Sequence, residues 1–176
     1  MRTLVVNPGS SSLKVTLVED GTVVADDGGP YDAVGVRFVH GGPDHTAAVV
    51  VDDQVLSDLD LVSDLAPLHN PPALEAARDL RGRHAGVPVV ACFDTAFHTT
   101  IPAAAATYAL PREWNQRWRL RRYGFHGLSH AWAARRAAEL VGRSAEELRM
   151  VTCHLGGGAS LCAVRGGRSV DTTMGF

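Results

Sequence analysis

Thr3-Leu-Val-Val-Asn7, Pro8-Gly9-Ser10-Ser11-Ser12 and Leu13-Lys-Val-Thr-Leu-Val18 follow one another at the start of the chain, and their reading decides the fold. The first run is apolar and β-branched and reads as a strand, the second as a turn and the third as a second strand. Asp20-Gly21 supplies a tight turn into Val23-Val24-Ala25, so the opening is predicted as strand, Gly/Ser turn, strand, hairpin and strand. The pattern recurs near the other end. Met150 to Leu155 reads as a strand, Gly156-Gly157-Gly158 as the turn, Ala159 to Val164 as a strand, and Gly166-Gly167 leads into Arg168 to Thr172. Glycine and serine between two strands offer backbone N–H groups and hydroxyls to an oxyanion, with no bulky side chain to hold it away. Two such loops predict phosphates held in a cleft between two similar halves, with Lys14 placed to neutralise charge. No helix follows the first loop directly, which disfavours the G-x-x-x-x-G-K-[ST] phosphate loop.

Between these hairpins, Val34 to Val39 reads as a strand closed by Gly41-Gly42, and Asn70-Pro71 as an N-cap with proline at the first helical position. Ala73, Leu74, Ala77 and Leu80 share one face of the helix that follows, which reaches about Arg83. Val87 to Phe93 is predicted as a buried strand ending at Asp94. Leu128 to Val141 reads as a helix stopped by Gly142, and Ser144-x-x-Glu147 as a capping box for a short helix. Strands alternating with helices place the chain in the α/β class. Asp26 to Pro30 is the clearest surface loop.

The 176 residues are 45% hydrophobic and 20% charged, enough to bury a core in one domain or two small lobes. A net charge of −2 with mixed signs provides no basic field for nucleic acid, and no apolar run reaches the ~20 residues a membrane helix needs. Asn7, Ser10, Ser12 and Lys14 interrupt the first apolar run, unlike a signal peptide, so the expected location is the cytoplasm. Cys92, Cys153 and Cys162 are odd in number, lack a C-x-x-C pair and sit in apolar stretches. They read as reduced core thiols.

Six motifs then occur in order: Val5-Val-Asn-Pro-Gly-Ser-Ser-Ser-Leu-Lys14, Arg37-Phe-Val-His-Gly-Gly42, Ala66-Pro-Leu-His-Asn-Pro71, Phe93-Asp-Thr-Ala-Phe-His98, Tyr123-Gly-Phe-His-Gly-Leu-Ser-His130 and Asp171-Thr-Thr-Met-Gly-Phe176. Together they resemble the acetate kinase family. The resemblance implies the α/β, actin-like (sugar-kinase, Hsp70, ribonuclease H-like) fold, with a first lobe over residues 1–95 and an incomplete second lobe over 96–176. It implies reversible transfer of the ATP γ-phosphoryl to acetate, giving acetyl phosphate and ADP, with Mg2+ or Mn2+ as cofactor and a homodimer in the complete protein.

Residue by residue, the resemblance assigns Asn7 to nucleotide phosphate or magnesium, with Ser10, Ser12 and Lys14 nearby. It assigns Arg37 to the carboxylate and the phosphoryl in flight; a planar fork of donors suits both, although an arginine in an apolar strand also fits a structural ion pair. Val39, Leu68 and Phe125 match the walls of the pocket for the acetate methyl, and periodicity alone would make them core residues. Asp94 matches the catalytic aspartate at a strand end, where it could orient magnesium or the attacking oxygen; without the family it reads as a helix cap or turn residue. His69 and His126 match histidines near the transferring phosphoryl. His154 falls in the second phosphate loop with Gly156, Gly157 and Gly158. His126 and His130 have the i, i+4 spacing of a zinc pair, but no third ligand is evident. For His40 and His98 a structural hydrogen bond is the better reading.

Three departures qualify the resemblance. Gly157 stands where the family usually has Asn, a triple-glycine loop shared with butyrate kinases, so propionate or a longer acid remains an alternative substrate. The segment between the first hairpin and the arginine motif shrinks to Asp26 to Ala33. Phe176 falls inside a motif that continues in the family toward a second arginine and the adenosine pocket, so the chain alone is expected to be nearly inactive. Two other readings stay open: a lobe that binds phosphate or a partner without turnover, and a hydrolase using Asp94 as nucleophile.

Overall fold

A computed structural model describes residues 1–9 and 13–175. The predicted phosphate-loop residues Ser10 and Ser12 therefore lie outside the described residues. The chain divides into two compact units, Met1–Phe93 and Asp94–Phe176.

In the first unit, the β-branched runs form β1 (Arg2–Pro8), β2 (Leu13–Glu19), β3 (Thr22–Val24), β4 (Ala33–Phe38), β5 (Val49–Val50) and β6 (Val89–Phe93), in one sheet of order β3-β2-β1-β4-β6-β5. β1 pairs antiparallel with β2 and parallel with β4, and β4 pairs parallel with β6. The sheet is mixed, and with its helices it gives the α/β, actin-like fold expected from the sequence. Because strand side chains alternate in direction, Leu4, Val6, Val34, Val36 and Phe38 fill one face and are buried. Helix α2 (Asn70–Arg83) contributes Ala73, Leu74 and Ala77 to the same core. Burying each such large side chain stabilises by roughly 1.5–3 kcal/mol. The alternate positions Asn7, Gly35 and Arg37 point the other way and remain half-buried.

Three local readings change. Asn70 is not the cap of α2 but its first residue, fully buried. Its side chain accepts from the His40 backbone N–H at 3.2 Å and donates to the His40 carbonyl at 2.8 Å. These bonds satisfy two buried backbone groups beyond β4, a use of the amide that a cap would not serve. Helix α1 (Asp53–Leu61), capped by the Asp52 side chain accepting from Val55 N–H at 2.8 Å, was not anticipated. The expected capping box at Ser144 shortens to a single 3₁₀ turn, with Ser144 Oγ accepting from Glu146 N–H at 3.3 Å.

The second unit holds α3 (Ala103–Ala106), α4 (Arg112–Arg117), α5 (Gly127–Leu140) and an antiparallel sheet of β7 (Arg149–Leu155), β8 (Ala159–Arg165) and β9 (Arg168–Thr172), in that order. Helix α5 ends where expected, with Gly142 at φ +65°. Its buried stripe is Gly127, His130, Ala134 and Ala138. Thr152 on β7 and Ser160, Cys162 and Val164 on β8 are buried on one face of the sheet. All three cysteines are free, but only Cys162 is a core thiol: Cys153 is exposed and Cys92 half-buried. On β7 Cys153 sits one position from buried Thr152, and alternation turns it outward.

Candidate active site

In the first unit, the parallel register of β1 and β4 brings Arg37 against Asn7, and the guanidinium Nη1 donates to Asn7 Oδ1 at 3.0 Å. Asn7 pairs across β1 and β2 with Lys14, which is exposed. Val39 follows β4 on the same parity as Arg37 and is half-buried. Leu68 is 70% exposed and forms no closed wall within its unit. His69 is half-buried at the N-cap of α2, where its side chain makes no capping hydrogen bond.

In the second unit, Asp94 follows β6 and is 2% exposed. Its carbonyl accepts from Gly127 N–H at 2.9 Å, and a Cβ on Gly127 would overlap that oxygen. Only glycine lets the start of α5 come this close to Asp94. The preceding His126 adopts a left-handed backbone, φ +58° and ψ +22°, which is uncommon for a residue with a side chain. Its ring stacks on His154 with centroids 4.0 Å apart. The glycine loop borders both rings: a Cβ at Gly158 would stand 3.4 Å from His126 Nε2, and one at Gly156 3.4 Å from His154 Nε2. The structure thus gathers Asp94, His126, His154 and Gly156 to Gly158 in one unit. Phe125 is 8% exposed beside them, and its carbonyl is engaged by His98.

Hydroxyls that the sequence reading did not single out hold these rings. His126 Nδ1 meets Ser160 Oγ at 2.8 Å, His130 Nε2 meets the same oxygen at 2.9 Å, and His130 Nδ1 meets Thr152 Oγ1 at 2.8 Å. His154 Nδ1 meets Ser129 Oγ at 2.9 Å. His98 donates from Nε2 to the Phe125 carbonyl at 2.9 Å, because a carbonyl only accepts, and its Nδ1 then accepts from Ser169 Oγ at 2.8 Å. His40 Nδ1 accepts from Gly42 N–H at 2.8 Å. The structural hydrogen bonds expected of His40 and His98 are present. For Thr152, Ser160 and Ser169 the only signal was small polar residues on the inward parity of β7, β8 and β9, and Ser129 lies on α5.

Over residues 22–176 the chain matches the Acetokinase family. It belongs to that family. The chain is 50% identical over 160 residues to the acetate kinase of Thermoanaerobacter pseudethanolicus, covering 91% of this chain and 40% of that protein. It is 50% identical over 161 residues to the acetate kinase of Thermotoga maritima, covering 92% and 40%. Among solved structures it resembles Porphyromonas gingivalis acetate kinase, with TM-score 0.89 and 31% identity over 99% of this chain and 57% of that one. A propionate kinase from Francisella tularensis gives TM-score 0.87 and 31% identity over 99% and 57%. The chain spans about 40% of the length of the curated relatives it matches.

Among the described residues no atom lies within 4 Å of the place a Cβ would occupy at Gly157, so a side chain there would meet no crowding. Among the described residues no helix is long and apolar enough to cross a membrane, and no cluster of three or more His, Cys, Asp or Glu is arranged for a metal. A divalent cation that arrives on a nucleotide keeps its waters and phosphate ligands and takes few protein oxygens, and Asn7 offers a neutral oxygen, which here accepts from Arg37 at 3.0 Å.

Burial pushes the His40 pKa down to about 4, and burial together with the rings of His98, His126 and His154 pushes His130 down to about 4. Both are neutral when folded, whereas an unfolded histidine protonates near 6.5. Protons therefore bind the unfolded chain preferentially between these values. The stability contributed is complete above about pH 6.5 and is lost as pH falls toward 4, at up to ~1.4 kcal/mol per pH unit for each ring. Thermal melting should be nearly flat from pH 7 to 8 and fall steeply from pH 6.5 to 5. A flat midpoint across the lower range would show that these rings take up protons without unfolding.

Proposed function

We propose that the protein to which this chain belongs is an ATP-dependent acetate kinase, transferring the γ-phosphoryl reversibly to acetate to give acetyl phosphate and ADP. The observation that supports this most directly is the joining of the Asp94 carbonyl to the N–H of Gly127, which ties a buried acid to the start of the helix that follows His126, the ring that borders Gly158. An acetate oxygen attacks the γ-phosphorus as the bond to the ADP oxygen breaks, a transfer that depends on position and charge more than on covalent help from the protein.

Arg37 holds the carboxylate and the equatorial oxygens of the phosphoryl, a task suited to a planar fork of donors. Asp94 orients the attacking group, and His126 donates to charge developing on the phosphoryl. His69 donates in the same way. Backbone N–H groups of Gly156 to Gly158, with His154, take the nucleotide phosphates, and Asn7, Ser10, Ser12 and Lys14 line the other phosphate approach. Asn7 would hold a divalent cation, proposed as magnesium, which supplies charge neutralisation on the phosphates. Residues 1–95 act as the first lobe and 96–176 as part of the second. The complete protein is read as a cytoplasmic homodimer.

Val39, Leu68 and Phe125 bound the acetate methyl. Val39→Ala should shift the ratio of efficiencies from acetate toward propionate and butyrate by roughly 5- to 150-fold, since one methylene is worth about 1–3 kcal/mol. Equal ratios for the three acids before and after substitution would remove Val39 from the pocket. The activity itself is tested by trapping acyl phosphate as the hydroxamate with the complete protein, ATP, magnesium and acetate. ATP hydrolysis without hydroxamate for any short-chain acid would refute the reading, and a phosphorylated Asp94 would favour the hydrolase.

A further inference from the structure

We propose that Ser160 is a positioning residue that keeps the His126 proton on Nε2, the edge of the ring that borders the glycine loop. The inference deepens the kinase reading and rests on it for the purpose of that proton. Ser160 is 3% exposed on β8, and its hydroxyl lies between two rings, 2.8 Å from His126 Nδ1 and 2.9 Å from His130 Nε2. A hydroxyl has one hydrogen. It can donate to one of these nitrogens, and the other must donate to it.

His130 is 1% exposed and, with its pKa near 4, carries a single proton at neutral pH. Its Nδ1 meets Thr152 Oγ1 at 2.8 Å, so two arrangements of the chain exist. In one, His130 Nε2 donates to Ser160, Ser160 donates to His126 Nδ1, and the His126 proton sits on Nε2. In the other every hydrogen is reversed, and neutral His126 turns a lone pair toward the loop.

Three observations favour the first. His126 Nε2 borders Gly158, where an anionic oxygen is attracted by an N–H and repelled by a lone pair. Both rings then carry the proton on Nε2, the tautomer a free imidazole prefers. His98, in the same unit, already uses this arrangement, because its Nε2 must donate to the Phe125 carbonyl and its Nδ1 must accept from Ser169. The left-handed backbone of His126 and the stacked His154 ring fix the imidazole from two further sides. The titratable groups around these hydrogen bonds include His98, His130 and His154, the carboxyl of Asp94 and the Cys162 thiol.

The test is long-range 15N–1H NMR of the complete protein labelled with 15N-histidine, with His126 assigned by the loss of its signals in His126→Gln. At pH 7.5 the wild type should show His126 Nε2 protonated, and Nδ1 unprotonated but shielded by the hydrogen bond it accepts. In Ser160→Ala the Nδ1 resonance should move to the position of a free acceptor, and kcat should fall about tenfold with KM for the carboxylate changed less than twofold. A protonated Nδ1 in the wild type overturns the proposal even if Ser160→Ala does not fold, and so does an unmoved Nδ1 resonance in a folded variant. The spectra require no turnover. The expected tautomer in a protein that makes no acyl phosphate would remove the kinase reading and leave the Ser160 assignment standing.

Discussion

Asp94→Asn should lower kcat by at least ~1000-fold in the complete protein, with the affinity for ATP changed by less than about fivefold. Asparagine has nearly the size of aspartate, so the buried position, 2% exposed, stays filled, and the backbone carbonyl still accepts from Gly127 at 2.9 Å. What disappears is a negative charge and one of two acceptor oxygens, replaced by an NH2 donor, at the place proposed for orienting the attacking group. A thousandfold corresponds to about 4 kcal/mol of transition-state stabilisation, the scale expected when a preorganised charge is removed from a water-poor site. Steady-state rates, a calorimetric ATP titration and a melting curve, run on one preparation, separate chemistry from binding and from folding. A loss below tenfold in a folded protein would show that Asp94 serves the turn at the start of the second unit and not the reaction.

The second large effect is expected at Arg37. Arg37→Lys should lower kcat/KM at least ~100-fold, about 3 kcal/mol. The guanidinium already spends one N–H on Asn7 Oδ1 at 3.0 Å, which holds the fork on the half-buried face of the β1 and β4 pair. A planar fork of N–H donors suits a carboxylate and a phosphoryl oxygen together. Lysine keeps the charge as a compact point on a flexible stem, so it can neutralise one oxygen but cannot hold two in register. The deficit should appear in kcat as well as in KM for the acid, because the contact tightens as charge moves onto the equatorial oxygens. A loss under threefold would leave Arg37 as a structural partner of Asn7.

Much of this was legible in the amino-acid order. Period-two alternation in Arg2–Pro8 and Ala33–Phe38 marks the strands, and it also separates the face carrying Asn7 and Arg37 from the face carrying Val34, Val36 and Phe38. Both glycine hairpins, the helix after the two prolines and the six motifs of the acetokinase family could be read because each is a local signal, complete within ten residues or so.

Tertiary structure alone decided how the side chains are used. Asn70 looked like a cap because residues of its type usually cap. It is instead held by His40, 30 residues away, whose buried N–H and C=O both bond to its side-chain amide. Ser160 and Thr152 looked like ordinary strand residues, yet they bond to His126 and His130 across separations of 34, 30 and 22 residues. A hydrogen bond formed over such a distance leaves no period in the sequence. It exists only because α5 packs its buried stripe on the inward face of β7 and β8, and because Gly127, lacking a Cβ, lets that helix begin against the carbonyl of Asp94.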